Sequence, residues 1–488
     1  MIAGKKRLPQ IPYRLITVAL INGAVIMIVE LTGSRIVAPY FGSSLYVWTA
    51  IIGSILVALS VGYWYGGRLS DRFPSERVLA RILLVAAIVL LVTRLVQDVV
   101  LTVLASLNPG VLLGSILATI VLFIPTTFTL GMVSPFVAKL TMRDQKHAGE
   151  GVGLVFSAGT IGSIVGTFLT GYVLFQYIGS ARIILLCVAA LLLASMLLYR
   201  KKILLVQVAL LIIVGVLVLQ ERAFGHPIRG LVLDIDSAYS RLIVSDRDVE
   251  KGTLRVLQTD ALGAQSGVYV DSTELPFDYT RAFLDAAAIA ADGPILLIGG
   301  GAFTVPRELA HQYPGRNVDI VEIDPVLSQV ARDYFGYTVP SSHQVLHEDA
   351  RTFINQSDRQ YSLILSDAFQ SLSPPFQLTT REAIAAKKKN LRPGGLLVMN
   401  TISRPDSDKS FLAAQYATLL QEFRYVKAYR YVASENTSEN QNIFVIASDQ
   451  GIPEKISPEL GAELTQLNLS AAPVLTDDFA PVESLLNN

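Results

Sequence analysis

Residues 13–220 of this chain are almost continuously apolar, and this feature constrains the fold more than any other. A helix that crosses a membrane needs about 20 apolar residues to span roughly 30 Å of hydrocarbon. Runs of that kind lie at 13–38, 45–67, 78–104, 110–140, 151–176, 180–199 and 203–220. The 488 residues are 51% hydrophobic, which exceeds the content of an ordinary soluble protein of this size. We therefore predict a multi-pass α-helical membrane domain of about seven helices at residues 1–220, embedded in the lipid bilayer.

Basic residues alternate with these runs in a way that predicts orientation. Four clusters flank the runs, whereas the intervening loops are nearly free of bases: Lys5–Arg14, Arg68–Arg77, Lys139–Lys146 and Arg200–Lys202. Because such clusters stay in the cytoplasm, the N-terminus and these loops are predicted to be cytoplasmic. Seven crossings would carry the rest of the chain to the opposite side.

Small and charged residues inside the runs indicate where helices meet. Residues 153–172 carry small residues at a helix-packing spacing that lets neighbouring backbones approach: Gly159, Ser163, Gly166 and Gly171. Arg94 and Asp98 stand four residues apart on one helix face, where they either pair with each other or line a polar pocket.

Residues 221–488 have ordinary globular composition and alternate between strand and helix patterns. Buried parallel strands are predicted at "ILLIG", "VDIVEID", "HQVLHED", "YSLILSDAF" and "GLLVMNT". Before them, "SRLIVSD" and "TLRVLQTD" alternate around Lys251 and Gly252, which is typical of β-hairpins. We predict a β-hairpin subdomain at 221–280, followed by a Rossmann-like, α/β doubly wound domain at 281–488.

The chemistry-bearing residues of this half follow the predicted strands directly. Open α/β sheets bind ligands at the carboxyl ends of their strands. Candidates there are the glycine turn Gly299, Gly300 and Gly301, then Glu322 and Asp324, then Asp349 and Ala350, and finally Asp367. Glu322 comes 21 residues after Gly301, a spacing suited to gripping ribose hydroxyls. The pattern predicts a nucleoside pocket; the alternative is that each carboxylate caps a helix N-terminus.

Charge and composition exclude several other classes of site. The formal net charge is zero and no basic face is present, so we predict no nucleic-acid partner. The single cysteine, Cys187, lies in an apolar run, and the five histidines show no ligand spacing, so we predict no metal.

Residues 230–449 resemble the polyamine aminopropyltransferases, the spermidine synthase family, and the whole chain resembles its membrane-fused bacterial branch. The pieces that carry the resemblance are "SAYSRLIV", "GGG", "VEIDPVLSQVARDYF", "HEDARTFI", "SDAF", "LTTREA" and "LRPGG". The resemblance implies a methyltransferase-type Rossmann-like fold, decarboxylated S-adenosylmethionine as donor and an amine acceptor such as putrescine. It also implies that Glu322 holds ribose, that Asp349 reads the adenine amino group and that Asp367 takes the proton of the attacking amine.

Departures from the family pattern concern the amine end of the site. Ala302 stands where the family has the aspartate that meets the aminopropyl ammonium, and Gln370 stands where it has a second aspartate after strand four. Candidate substrate-binding residues are Tyr239, Gln265, Tyr279 and Gln370. Acids near the C-terminus either replace the missing carboxylates or form a capping turn: Asp477, Asp478 and Glu483.

Three hypotheses of function follow from these observations. The first is a membrane-bound aminopropyltransferase with Asp367 as general base. The second is an S-adenosylmethionine-dependent methyltransferase with the same nucleoside pocket, which the loss of the aspartate at Ala302 favours. The third is a non-catalytic membrane transport or binding protein with a nucleoside-sensing or polyamine-sensing domain. The predicted location is the inner membrane, with the soluble half in the cytoplasm where adenosyl donors are made, and a homodimer is compatible with the resemblance.

Overall fold

The computed structural model describes residues 12–42, 44–107, 109–142, 148–199, 203–220, 229–259, 265–272, 274–368, 374–404, 407, 409–431, 441–453, 456, 460–464, 467, 469 and 472–486. The chain forms two compact units, 1–226 and 227–488.

The first unit is entirely helical in its described part. Its helices are α1 (Tyr13–Phe41), α2 (Leu45–Arg72), α3 (Glu76–Ser106), α4 (Gly110–Leu122), α5 (Ile124–Gly131), α6 (Val133–Thr141), α7 (Ala148–Leu169), α8 (Phe175–Tyr177), α9 (Ser180–Leu198) and α10 (Leu204–Gln220). A π-helical segment, Thr170–Leu174, joins α7 to α8.

The run at 110–140, predicted as one crossing, is not a continuous helix. Helix α4 ends at Leu122, and the helical segment Ile124–Thr141 is bent by 51° relative to α4. Pro125 lies in the first turn of α5 and has no N–H to donate, so the helix ladder is interrupted at this point. Beside this break, the carbonyl oxygen of Leu122 accepts a hydrogen bond from the Thr93 hydroxyl at 3.0 Å.

Among the described residues, five helices are long and apolar enough to cross a membrane, or six if the bent pair counts as one span. This is fewer than the seven predicted, and the run that is not counted is the shortest one, α10. Its 17 residues reach about 26 Å, against roughly 30 Å of hydrocarbon. Gln207 of α10 is buried and donates hydrogen bonds to Ser195 and Tyr199, so α10 packs against α9.

Helices α1 and α7 meet through small residues, as the spacing predicts. A Cβ atom on Gly162 would lie 2.0 Å from the Leu20 carbonyl oxygen, and one on Gly166 would lie 2.6 Å from that of Ala24. The Ser163 hydroxyl donates to the Gly23 carbonyl at 3.2 Å. Gly171 was wrongly included, since a Cβ there would meet nothing within 4 Å.

Two ion pairs involve residues of the helical unit. Arg94 and Asp98 form the predicted ion pair at 3.7 Å along one face of α3. At the ends of α2 and α6, Lys139 lies 2.6 Å from Asp71, which places two of the predicted basic loops at the same end of the bundle.

The second unit combines two sheets with helices. Its strands are β1 (Leu231–Asp236), β2 (Arg241–Val249), β3 (Gly252–Gln258), β4 (Ser266–Tyr269), β5 (Ile295–Ile298), β6 (Val318–Val321), β7 (His343–Leu346), β8 (Tyr361–Ser366), β9 (Leu391–Ser403), β10 (Tyr425–Tyr431), β11 (Gln441–Ser448) and β12 (Leu460–Glu463). Its helices are α11 (Asp278–Ile289), α12 (Thr304–Gln312), α13 (Pro325–Tyr334), α14 (Ala350–Gln356), α15 (Arg381–Lys389), α16 (Phe411–Leu419) and α17 (Val482–Leu486), and a 3₁₀ turn covers Phe376–Leu378.

The predicted α/β fold is confirmed. Strands β1 to β4 form an antiparallel sheet, and the five predicted strands β5 to β9 are parallel, in the order β9-β8-β5-β6-β7. Three antiparallel strands that were not predicted, β10 to β12, extend the sheet beyond β9. The carboxyl ends of β5, β6 and β8 therefore lie side by side, and their buried faces fix the residues that follow them.

Candidate active site

The glycine turn after β5 is built by backbone conformations that side chains rarely adopt. Gly299 has φ of +93° and Gly301 has φ of +54°. A Cβ on Gly299 would lie 2.5 Å from the carbonyl oxygen of Asp367, so only glycine lets the ends of β5 and β8 approach. Phe303 also has positive φ, +57°, and its buried ring stacks on Tyr337 at 5.2 Å between centroids.

Glu322, at the end of β6, faces this turn. Its carboxylate accepts hydrogen bonds from the backbone N–H groups of Gly300 at 2.8 Å and Asp324 at 2.9 Å. Burial raises the pKa of Glu322, and these backbone hydrogen bonds oppose that rise. The side chain is 6% exposed, so it is a fixed acceptor at the edge of the glycine turn.

Asp324 and Asp349 act as helix caps, as the alternative reading of the carboxylates predicts. Asp324 accepts from the Val326 N–H at the start of α13, and Asp349 accepts from the Thr352 N–H at the start of α14, whose first residue is Ala350. Each carboxylate therefore stabilises a helix N-terminus at the ligand-binding edge of the sheet.

Asp367 follows β8 and faces Asn400 and Tyr279. The Asn400 side-chain amide donates to the Asp367 carboxylate at 2.9 Å. Desolvation raises the pKa of Asp367 to about 6, and the bond from Asn400 opposes the rise. Burial, followed by the charge of Asp367, raises the pKa of Tyr279. A carboxyl with a pKa near 6 is ionised at neutral pH and still basic enough to accept a proton.

The start of β4 closes one side of this cluster. The Tyr279 hydroxyl donates to the Gln265 carbonyl at 2.7 Å, and the Ser266 hydroxyl accepts from the Ala302 N–H at 3.4 Å. Gln265 and Tyr279 therefore lie beside the glycine turn and Asp367. Tyr239 is on the β1–β2 turn with half of its surface exposed, and no described contact joins it to this cluster. Gln370 lies outside the described residues.

Of the three acids that could replace the missing carboxylates, Asp477 is engaged by other side chains. Its carboxylate pairs with Arg351 at 2.7 Å and accepts from the Thr380 hydroxyl at 2.6 Å. Ala302 is 1% exposed within the core. Neither Ala302 nor the paired Asp477 therefore supplies an unpaired carboxylate to the amine end of the site.

Two residues of this region were not found from the sequence. Asn400 follows Met399, the register partner of Ser366, and therefore lies at the same edge of the sheet as Asp367. Selecting polar residues at the carboxyl ends of the predicted strands, as was done for the other candidates, would have found it. Lys387 of α15 is fully buried, but it stands in a run of three lysines that resembles a solvated helix end. No cluster of three or more potential metal ligands lies in the described part of the chain.

Comparisons with known proteins identify the soluble unit. Residues 279–455 match the model of the spermine/spermidine synthase domain. The polyamine aminopropyltransferase of Vibrio vulnificus is 34% identical over 210 residues, which cover 39% of this chain and 69% of that protein. A probable polyamine aminopropyl transferase of Bifidobacterium longum is 27% identical over 288 residues, 52% of this chain and 62% of that protein.

A solved structure of a probable spermidine synthase from Corynebacterium glutamicum aligns with a TM-score of 0.40 at 23% identity, over 48% of this chain and 85% of that one. The match to the Vibrio protein covers more than two thirds of its length at over 30% identity. The chain is therefore a transferase that belongs to the polyamine aminopropyltransferase (spermidine synthase) family.

Proposed function

We propose that this protein transfers an aminopropyl group from decarboxylated S-adenosylmethionine to an amine such as putrescine, with Asp367 as general base. The observation that carries this proposal is the Asp367 carboxyl, whose pKa of about 6 suits proton abstraction, on the strand next to the glycine turn. The amine nitrogen attacks the methylene carbon beside the sulfonium, the carbon–sulfur bond breaks, and 5′-methylthioadenosine leaves. Asp367 accepts the proton that the nitrogen loses.

The nucleoside half of the site supports an adenosyl donor. The turn Gly299–Gly301 allows a ligand to approach its backbone, and Glu322 offers a buried carboxylate for ribose hydroxyls. Asp324, Asp349 and Ala350 stand at the same edge of the sheet and remain the candidates for the rest of the nucleoside. Holding donor and acceptor in line at this edge would supply most of the rate enhancement.

The acceptor site is proposed to bind the amine mainly through neutral oxygens. Asn400 Oδ1 and Gln265 Oε1 are buried acceptors without a hydrogen-bond partner among the described residues. Both belong to the cluster around Asp367 and Tyr279, where an amine could donate to them. A buried acceptor without a partner costs free energy, and a bound amine would recover it.

A second candidate function rests on one specific observation, the buried methyl group of Ala302. A carboxylate there would favour the decarboxylated donor, whose tail is purely cationic, over S-adenosylmethionine. Without it, a methyl transfer from S-adenosylmethionine in the same pocket is the alternative.

We also propose that the helical unit anchors the enzyme in the inner membrane, with the N-terminus and the soluble unit in the cytoplasm. The five or six long apolar helices support the anchoring. Six crossings would return the chain to the side of its N-terminus, where adenosyl donors are made, and the shortness of α10 favours that even number.

The test is turnover by the full-length protein in detergent, with each donor labelled in the transferable group. We expect label to pass from the aminopropyl donor to putrescine. Asp367→Asn should lower turnover by about 10²- to 10⁴-fold, the usual contribution of a general base, and should still bind 5′-methylthioadenosine. Asp333→Asn, an exposed change in α13, is the matched control. Methyl transfer without aminopropyl transfer would establish the second candidate instead.

A further inference from the structure

One lysine of the soluble unit is buried without an acidic partner. Lys387 has no exposed surface, and no carboxylate of the described residues pairs with it. Its neighbours on α15, Lys388 and Lys389, are partly exposed and pair with Asp449 and Asp358. Burying an amine costs free energy unless its hydrogen bonds are made. A lysine at this position therefore needs specific hydrogen-bond acceptors, which an apolar side chain would not.

The Lys387 amine connects two points of the chain, Ser366 immediately before Asp367 and Leu378 eleven residues after it. Its Nζ donates to the Ser366 hydroxyl at 3.1 Å and to the Leu378 carbonyl oxygen at 2.9 Å. Burial, followed by the charge of Arg351, lowers the pKa of Lys387 to about 7. These two acceptors take two of the N–H groups of the amine.

A second cation holds the same turn. Arg351 of α14 donates to the Gln377 carbonyl at 2.8 Å, one residue before the carbonyl that Lys387 holds. The guanidinium is itself fixed by Asp477 and by the Thr380 hydroxyl. Consecutive carbonyls of the 3₁₀ turn Phe376–Leu378 are thus tied to α14 and α15.

Asp367 is consequently fixed from two directions. The Asn400 amide holds the Asp367 carboxylate, and the backbone N–H of Asp367 donates to the Ile298 carbonyl at 2.8 Å. Ser366 precedes it, and because side chains alternate along a strand, the Ser366 hydroxyl points to the opposite face, where Lys387 lies. A displacement of Ser366 would move the backbone that carries the base.

We propose that Lys387 is a positioning residue for the transfer reaction, holding Ser366 against the 376–378 turn so that the Asp367 carboxylate stays aimed at the attacking amine. This inference rests on the proposed role of Asp367 as general base. It assigns no contact between Lys387 and either substrate.

The test compares Lys387→Met with Lys389→Met in the full-length protein. The first removes the buried amine at nearly constant side-chain length, and the second makes the same change at an exposed position of the same helix. We expect Lys387→Met to lower kcat roughly 10- to 100-fold, because small misplacements of catalytic groups have effects of this size. Its Kd for 5′-methylthioadenosine and the KM for the donor should stay within about twofold, since the nucleoside contacts are remote. Lys389→Met should behave as wild type.

Ser366→Ala provides a second, milder variant that removes one acceptor only. If Lys387 acts through Ser366, the double variant Lys387→Met/Ser366→Ala should lose no more kcat than Lys387→Met alone. Additive losses, or wild-type kcat in Lys387→Met, would overturn the inference. So would a loss of nucleoside binding and thermal stability in Lys387→Met while Ser366→Ala keeps full kcat. An inactive wild type would instead contradict the proposed function and, with it, this inference.

Discussion

Replacing Asn400 with leucine should move the acidic limb of the pH–rate profile to higher pH. In the wild type the limb should lie near 6, the pKa of Asp367, because only the ionised carboxylate accepts a proton. The Asn400 amide donates to that carboxylate at 2.9 Å and so stabilises its charged form. Without the donor the charged form is less stable, and the pKa rises.

The size of the effect follows from the hydrogen bond. A bond to a charged group contributes about 1.5–3 kcal/mol, and 1.36 kcal/mol corresponds to about one pH unit. The limb should therefore move by about one to two units, to roughly pH 7–8. At pH 7 the ionised fraction should fall about two- to tenfold, and the part of the loss in kcat/KM that comes from ionisation should disappear above pH 9. Any loss that is independent of pH reports the amine contact of Asn400 Oδ1.

The assay is the initial rate of 5′-methylthioadenosine release from pH 5 to 10, at donor concentrations well below KM. Asn442→Leu is the control, because Asn442 lies on β11 opposite Ile402 and does not touch Asp367. If the limb of Asn400→Leu stays at its wild-type position, then Asn400 does not set the ionisation of Asp367, and the reasoning fails.

Three further predictions concern the donor and the membrane. Glu322→Gln should weaken binding of 5′-methylthioadenosine, measured by calorimetry, by about 1–3 kcal/mol, because a charged acceptor is lost; unchanged affinity would remove Glu322 from the ribose site. Ala302→Asp should tighten binding of the decarboxylated donor more than that of S-adenosylmethionine, and equal inhibition constants would show that selectivity lies elsewhere. A fluorescent protein fused after Asn488 should fluoresce and an alkaline phosphatase fused there should be inactive, since the soluble unit is proposed to be cytoplasmic; the reverse pattern would refute that side.

Sequence patterns a few residues long predicted the parallel strands of the soluble unit and the residues that meet at their ends. The apolar runs ending at Gly299, Glu322 and Asp367 each had the length and composition of a buried parallel strand. Because such strands end at one edge of a sheet, their following residues were expected to meet there. The structure brings the first two together at 2.8 Å between Gly300 N–H and Glu322, and the third packs on Gly299.

Features that depend on distant contacts could not be predicted in this way. Three successive lysines end α15, where cations are favourable next to the helix C-terminus, and local sequence does not say which of them is buried. Lys387 is the buried one because β8 and the 376–378 turn pack against its side of α15. The helix break at Pro125, unlike the burial of Lys387, has a local signal, because the proline is visible in the sequence. It was missed because hydropathy averaged over about 20 residues does not register a single proline.

The contact between α1 and α7 also has a consequence for biosynthesis. The Ser163 hydroxyl and the Gly23 carbonyl that it contacts are 140 residues apart. At about 5–20 residues per second, roughly 7–28 s separate the synthesis of the two partners. During that interval α2 to α6 emerge while the face of α1 that carries Leu20, Gly23 and Ala24 has no partner from α7. A ribosome that stalls before residue 163 would therefore release a chain whose first helix still exposes this face, a feature that quality-control proteases could recognise.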